Sequence, residues 1–428
     1  MRRFFRDRTG FLERQAKLGD VSRLWLGKQP GIFINHPDLI RDVLVVNADK
    51  FAKGRALERT RNLLGSGLLT NEGAPHLRQR RMIQPAFHRT RIAEYSRAMV
   101  ASADKMADTW KDGEVRDIDK EMTRLTLEIV AKTLFSVDAT EEADRVGHAL
   151  TTLLDLFNYL MLPYGEYLEK LPLPHTLRLR KARRTLDEIV YGFIADRRRS
   201  GEDKGDLLSM LINARDEDDG GEMTDTQVRD EALTLFLAGH ETTANALTWT
   251  WMLLSQNPEA RTRLDDELQN ILADRSPGFD DIPRLTYTEA VVAESMRLYP
   301  PAWAIGRKAI AKHELGRHRI EPNTVVLMST WVMQRDARYW NEPLEFRPER
   351  WLEQSVKEAS QRYIYFPFGG GVRRCIGEAF AWTEAILLVA AIARRWKLTL
   401  EPTQRIGLAP KITLRPKFGM KMRLKRLR

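Results

Sequence analysis

The one cysteine of the chain lies in a segment whose composition suits a metal ligand. Cys375 follows three consecutive glycines (369–371) and comes two residues before Gly377, near the expected start of an apolar helix. Glycines permit turns that other residues resist, and free N–H groups at a helix N-terminus stabilise a thiolate. Such a thiolate can bind a metal ion. A structural cysteine or an anion-binding nest beside a glycine-rich turn would have the same composition.

A second reactive group lies in the sequence AGHETT at 238–243, midway along a long helical pattern. Glycine costs a helix interior roughly 1 kcal/mol, and threonine can bond back to a preceding carbonyl. The adjacent carboxyl and hydroxyl groups of Glu241 and Thr242 could deliver protons to a reacting group. The alternative is a kinked helix with a purely structural role.

Charged residues recur at helical spacing. Glu294 and Arg297 lie three residues apart, which is typical of a surface ion pair. Arg350 follows in the sequence FRPERW. His76 and Arg80, four apart, could form a solvated basic face or bind an anion together.

These segments together resemble the cytochrome P450 family. The pattern F-x-x-G-x-R-x-C-x-G at 368–377 is similar to the haem-binding signature of that family. The ordered resemblance covers roughly residues 20 to 420. It implies a haem-thiolate monooxygenase with haem b as cofactor, O2 as co-substrate and electrons ultimately from NAD(P)H.

The resemblance also implies roles for residues near the haem. Cys375 matches the axial iron ligand, whose thiolate favours O–O cleavage. Thr242 matches the hydroxyl donor and Glu241 the acid that supplies protons. The residues that would contact the haem or its propionates are His76, Arg80, Ala238, Gly239, Arg307, Phe368, Gly369, Arg373, Ile376 and Gly377.

By the same resemblance, Glu294, Arg297 and Arg350 form a buried charge network that supports the cysteine loop. Trp351 stands where many members of the family have phenylalanine, and His76 where many have tryptophan. Trp351 keeps an aromatic ring, and histidine, like tryptophan, can donate to a propionate.

Apolar segments are expected to meet above the haem and to bind the substrate. With few fixed polar anchors, they favour a lipophilic compound such as a fatty acid or a terpenoid, although the same residues could simply fill the core. The stretch Leu153 to Leu173 is expected to form a mobile lid. The candidate pocket residues are Leu69, Leu235, Ala302, Trp303 and Ile305.

Helices must position most of these groups, because apolar residues recur at three- and four-residue spacing from about Thr90 to Leu400. Thr224 begins a capping box and a helix that continues through about Ser255. A second box at Thr286 opens a helix that the prolines at 300–301 stop. The cysteine loop leads into a helical run at 378–396.

Strands form the minor part. Residues 21–35 predict a hairpin with its turn at 28–31, followed by a helix capped by Asn35. Short strands are predicted at 307–310, 324–328 and within 412–424. The fold class is therefore mainly α with a small β region, a cytochrome P450 fold, as one domain over 1–428.

Composition narrows the classes of function. One cysteine among 428 residues excludes an internal disulfide and multi-cysteine metal sites. The net charge of +10 (69 basic minus 59 acidic residues) favours acidic partners. No run of 18 apolar residues occurs, so we expect no transmembrane anchor and a cytoplasmic protein.

No dinucleotide-binding fingerprint occurs, so we expect no fused reductase and electrons from an acidic ferredoxin or flavodoxin with its own reductase. A basic face at Arg373, Arg374, Arg394 and Arg395 would suit such a partner.

Other functions stay open on sequence alone. A peroxide-driven peroxygenase would need the Glu241–Thr242 pair less, and a non-catalytic gas sensor would need an output module. Nucleic-acid binding lacks a recognition motif.

Overall fold

The computed structural model describes residue 4 and residues 6–27, 29–136, 145–153, 156, 171–216 and 220–427. Helices dominate, as predicted. In chain order they are α1 (Arg8–Ala16), α2 (Pro37–Arg41), α3 (Arg55–Leu64), α4 (Gly73–Ile83), α5 (Arg89–Asp108), α6 (Ile118–Phe135), α7 (Pro174–Ser200), α8 (Leu207–Asn213), α9 (Asp225–Gln256), α10 (Pro258–Leu272), α11 (Thr286–Leu298), α12 (Thr330–Met333), α13 (Arg350–Glu353), α14 (Val356–Gln361) and α15 (Glu378–Ala393).

The long helix α9 organises the helical part. Thr224 and Gln227 form the predicted capping box, and the helix then runs for 32 residues, about 48 Å at 1.5 Å per residue. It packs against α6, α7, α11 and α15. Most of its side chains are buried, and the Trp249 indole donates to the Leu414 carbonyl at 2.9 Å. α9 is therefore an interior helix surrounded by its neighbours.

The strands form small sheets at the edge of the helical part. A five-stranded sheet has the order β1-β2-β8-β5-β3, a three-stranded sheet the order β4-β12-β9, and β6–β7 and β10–β11 are hairpins. The strands are β1 (Val21–Leu26), β2 (Gln29–Ile34), β3 (Phe51–Lys53), β4 (Val115–Asp117), β5 (Ile305–Ala309), β6 (His313–Leu315), β7 (His318–Ile320), β8 (Val325–Met328), β9 (Trp396–Leu400), β10 (Leu408–Pro410), β11 (Leu414–Pro416) and β12 (Lys421–Arg426).

Several predicted boundaries were wrong by a few residues. The first hairpin forms, but Leu26 already pairs with Gln29, so residues 29–31 of the predicted turn at 28–31 belong to β2. His36 caps α2, since its side chain accepts from the Asp38 N–H, whereas Asn35 donates to Asp336. The helix after the cysteine loop ends at Ala393, because the chain turns there into β9.

The predicted capping box at Thr286 was also wrong, although α11 begins there. The Glu267 carboxylate on α10 accepts from the Tyr287 N–H at 2.5 Å and from the Thr288 N–H and hydroxyl at 2.9 and 2.7 Å. Helix α11 is therefore capped by a neighbouring helix.

The described helices include none that is both long and apolar enough to cross a membrane. The predicted lid at 153–173 falls largely outside the described residues.

Candidate active site

The cysteine loop (368–377) is held by its own backbone and by the segment before β3. The Cys375 N–H donates to the Phe368 carbonyl at 3.0 Å, which closes the loop. Gly371 has φ +64°, and a Cβ atom there would lie 2.0 Å from the Leu44 carbonyl oxygen. Only glycine fits such a position. The packing of the loop thus explains part of the glycine run.

Cys375 is exposed at its place in the loop. Desolvation by the surrounding loop raises the pKa of its thiol, and the Gly377 N–H opposes this rise. A bound metal ion would favour the thiolate, because a coordinating thiol loses its proton.

Gly377 is not required by the packing of the protein. A Cβ atom there would meet only the Phe87 ring, at an ordinary contact distance of 3.5 Å. Ile376 beside it is half-buried against the main core.

Helix α9 is open to solvent at the predicted oxygen motif. Ala238 is exposed and Gly239 and Thr242 are half-buried, whereas the residues on either side are buried. The Thr242 hydroxyl donates to the Ala238 carbonyl at 2.7 Å. The helix continues through this segment without a break. In place of the expected local opening, the Thr242 hydroxyl bonds back to the preceding turn at an exposed face of the helix.

Glu241 is held by the C-terminal hairpin β10–β11. Its carboxylate accepts from the Arg415 Nε at 2.6 Å and from the Thr413 hydroxyl at 2.5 Å. The Asn245 side chain, one turn further along α9, also donates to Thr413, at 3.2 Å. We missed Arg415 and Thr413 in the sequence because more than 170 residues separate them from Glu241.

Four cationic side chains and one histidine lie around the start of the cysteine loop. Desolvation, followed by the charge of Arg373, lowers the pKa of Lys53 to about 7, of His76 to about 3 and of Arg307 to about 10. An acidic partner is already present, since Glu72 pairs with Arg373 and accepts from the Lys53 N–H at 2.6 Å. We call these five residues the basic cluster: Lys53, His76, Arg80, Arg307 and Arg373.

Lys53 was missed in the sequence. It lies in β3 directly opposite Arg307 in β5, and its ammonium group donates to the Leu68 carbonyl at 3.0 Å and to that of Leu69. No spacing pattern reveals such a pairing. Arg80 lies beside the cysteine loop, donating to the Arg374 carbonyl at 2.8 Å.

These observations fit haem b. Its iron needs a thiol near open space, its flat ring needs positions without side chains, and its two propionates need cations. Cys375, the uncrowded Gly377 and the cations of the basic cluster offer these three features. The donor set is thus suited to a flat, doubly anionic iron cofactor.

The structure brings Glu294, Arg297 and Arg350 together in the interior. The Glu294 carboxylate accepts from Arg297 at 2.8 Å and from Arg350 at 2.9 Å, and neither Glu294 nor Arg297 is exposed. The Trp351 indole, which we treated only as an aromatic replacement, donates to Glu294 at 2.9 Å. The Arg347 N–H, also at 2.9 Å, adds a fourth donor residue.

The candidate pocket residues fall into two groups. Leu69 and Ala302 are half-buried and Leu235 is buried, while half-buried Ile305 approaches the Gly369 position to 3.8 Å. Trp303 instead packs with Leu12 and other residues of a separate core cluster, and its indole donates to the Lys411 carbonyl. We therefore leave Trp303 out of the pocket.

The basic face predicted at the end of α15 is largely neutralised. Arg394 and Arg395 pair with Asp104 and Asp108 of α5 and expose only 13% and 21% of their side chains. Arg374 pairs with Glu378 but exposes half of its side chain.

Comparison with known proteins gives one family model and several relatives that cover most of the chain. The family model described as Cytochrome P450 matches residues 9–421. A protein named cyclooctatin synthase, from Streptomyces melanosporofaciens, is 40% identical over 94% of this chain and 88% of its own length. Cyclooctat-9-en-7-ol 5-monooxygenase from the same organism is 39% identical (92% and 85%), and pentalenene oxygenase from Streptomyces avermitilis is 38% identical (92% and 87%).

Proposed function

Since the chain belongs to the cytochrome P450 family, we propose that Cys375 binds the haem iron and that the substrate is a terpenoid. The protein is a monooxygenase that uses haem b, O2 and electrons derived from NAD(P)H. The observation that carries the site is the accessible thiol of Cys375 between a glycine that packing does not require and the basic cluster.

The basic cluster would hold the two propionates of the haem. Their negative charge would oppose the desolvation and the repulsion by Arg373 that lower the pKa values of Lys53 and Arg307, because an opposite charge favours the charged form of each group. Arg373 would share its guanidinium between Glu72 and a propionate. When bound, haem b supplies the redox-active iron that activates O2.

Residues of α9 would hold and transfer protons at the site. The Thr242 hydroxyl lies at the open face of the helix, where it can donate to a ligand once it leaves the Ala238 carbonyl. The Glu241 carboxylate would have to break its hydrogen bond with Arg415 before it could approach the Thr242 hydroxyl. Arg415 would therefore be a positioning residue that holds Glu241 turned away from Thr242.

The names of the relatives support a terpenoid substrate. One is a cyclooctat-9-en-7-ol 5-monooxygenase and another a pentalenene oxygenase, and this chain covers more than four fifths of each. The candidate lining residues Leu69, Leu235, Ala302 and Ile305 are all apolar, as a hydrocarbon skeleton requires.

The redox partner would be an acidic ferredoxin or flavodoxin. Arg374 beside Cys375 is half-exposed, so an acidic protein docked there would bring its cofactor close to the haem. A partner supplied by NAD(P)H and a chain with one cysteine suit the reducing cytoplasm.

The carbon monoxide difference spectrum of the reduced protein tests the iron ligand. We expect a strongly red-shifted Soret band in the wild type that Cys375→Ala abolishes. An unshifted wild-type band would refute the assignment of Cys375.

Turnover separates the remaining functions. With a surrogate ferredoxin system, we expect NADPH consumption coupled to oxygenated terpenoid product. Product formed only with hydrogen peroxide would identify a peroxygenase instead, and ligand binding without any turnover would favour a gas sensor.

A further inference from the structure

A second acidic residue lies beside the pair formed by Glu241 and Arg415. Asp119 is in the first turn of α6, and the N–H of the preceding Ile118 donates to the Met420 carbonyl at 2.8 Å. The start of α6 is therefore tied to the chain that directly follows β11, the strand that carries Arg415.

The packing of α6 against α9 brings Asp119 toward the same pair. The Thr126 hydroxyl of α6 donates at 2.9 Å to the carbonyl of His240, which directly precedes Glu241 in α9. Asp119 lies about two helical turns before Thr126, so the two residues share one face of α6. That face is the one that packs against α9.

The Asp119 carboxylate and the outer end of Arg415 are both without a bonded partner. Among the described residues, none forms a hydrogen bond or an ion pair with the Asp119 carboxylate. Within the same part of the chain, Arg415 donates through its Nε alone, to Glu241 at 2.6 Å. A guanidinium carries five N–H donors, so the outer nitrogens of Arg415 stay available for a second carboxylate.

The charges around Asp119 show that it interacts with both members of the pair. Desolvation and then the charge of Asp117 raise its pKa to about 6, while Arg415 lowers this pKa and Glu241 raises it. At neutral pH the group is therefore mostly a carboxylate, which can accept from a guanidinium.

The neighbouring polar groups are already engaged. The Asp117 carboxylate accepts from the Met420 N–H at 2.8 Å, and the His240 ring bonds to the Phe236 carbonyl at 2.7 Å. Asp119 itself is half-buried, and Arg415 exposes 21% of its side chain. Asp119 is thus the carboxylate of this group of described residues that is free to receive a cation.

We propose that Asp119 is a positioning residue that receives the Arg415 guanidinium when Glu241 releases it. This inference rests on the proposed role of Glu241 as the acid that supplies protons. A largely buried Arg415 that lost Glu241 without gaining another carboxylate would be an uncompensated charge, so it would return to Glu241. Asp119 removes that cost and leaves Glu241 free to approach the Thr242 hydroxyl.

The crystal structure of Glu241→Leu tests the movement of Arg415 directly. Leucine removes the carboxylate with little change in volume. We expect the Arg415 guanidinium to lie within hydrogen-bond distance of the Asp119 carboxylate. An Arg415 side chain that stays in its original position, or that extends into solvent, would overturn the proposal.

Turnover of cedrene, a sesquiterpene, with NADPH and a surrogate ferredoxin system tests the consequence. We expect Asp119→Asn to lower kcat about tenfold and to leave the KM for cedrene unchanged, because the release of Glu241 follows substrate binding. Asp119→Glu should keep most of the activity because it keeps the carboxylate. Undiminished kcat in Asp119→Asn would refute the role of Asp119. The crystal structure decides the question even if cedrene is not turned over.

Glu121→Gln is the matched control. Glu121 is the other acid in the first turn of α6, but its carboxylate binds Trp110 and Arg116. We expect this variant to keep the kcat of the wild type. An equal decrease in both variants would assign the effect to the lost negative charge at the helix N-terminus, and not to Asp119 itself.

Glu241→Gln separates this inference from the proposal on which it rests. We expect this variant to lower kcat at least as much as Asp119→Asn does. Full activity of Glu241→Gln would refute the proposed role of Glu241. Loss of activity in Glu241→Gln alone, with Asp119→Asn fully active, would refute only the role of Asp119.

Discussion

At the scale of single residues, the interior charge of Glu294 is satisfied by an unusually complete set of donors. Arg297, Arg350, the Arg347 N–H and the Trp351 indole all donate to it. A buried carboxylate that loses a hydrogen-bond donor keeps the free-energy cost of its desolvation but loses the bond that offset it. The tryptophan is thus part of the network and not only a larger aromatic ring.

Replacement of Trp351 by phenylalanine measures this contribution. We expect Trp351→Phe to lower the free energy of unfolding by about 2–3 kcal/mol, because a hydrogen bond to a charged group is lost. The protein is unfolded in urea, and the loss of the Soret band monitors the unfolding.

Trp340→Phe is the matched control. Trp340 is also buried and lies beside Trp351, but its indole N–H forms no hydrogen bond within the described part of the chain. Equal destabilisation by the two substitutions would mean that ring volume, and not the hydrogen bond to Glu294, accounts for the effect.

At the scale of elements, helix α11 depends on a cap from another helix. Glu267 binds two N–H groups and a hydroxyl in the first turn of α11, the helix that carries Glu294 and Arg297. The network therefore depends on how α10 is placed.

Removal of this cap should loosen α11. We expect Glu267→Ala to lower the free energy of unfolding by about 1–2 kcal/mol, which is typical of a lost N-cap. The exposed neighbour Asp266 provides the control. Asp266→Ala should change the free energy of unfolding by less than about 0.5 kcal/mol. Similar values for both variants, from the same urea titration, would contradict a specific cap.

The same helices show what sequence alone can predict. The box at Thr224 and the start of α11 follow from local patterns, and both helices form where expected. The cap by Glu267 competes with the local box and cannot be recognised from spacing. Lys53 and Arg415 reach the site through strand pairing and a distant hairpin, so only the folded chain reveals them.

At the scale of the whole molecule, the basic side chains differ in how exposed they are to a partner protein. The chain carries a net charge of +10, yet Arg394 and Arg395 are paired with acids of α5. Arg374 keeps half of its side chain exposed beside Cys375. Association with an acidic partner should therefore depend on a few cations near the cysteine loop.

Charge reversal at Arg374 tests this dependence. We expect Arg374→Glu to raise the KM for an acidic ferredoxin about tenfold in NADPH-driven turnover, and the effect to shrink at high salt because ions screen surface charges. Arg199→Glu, at an exposed residue near the end of α7, is the control for net charge. Equal KM values for the two variants at low salt would place the docking surface elsewhere.

The hold of the hairpin β10–β11 on Glu241 has a consequence for biosynthesis. The ribosome delivers Glu241 more than 170 residues before Arg415, which completes the surroundings of that carboxylate. While Arg415 is still inside the exit tunnel, α9 can form but Glu241 has no cation to hold it. The hold on Glu241 is therefore completed last, after α9 and the helices around it have already been synthesised.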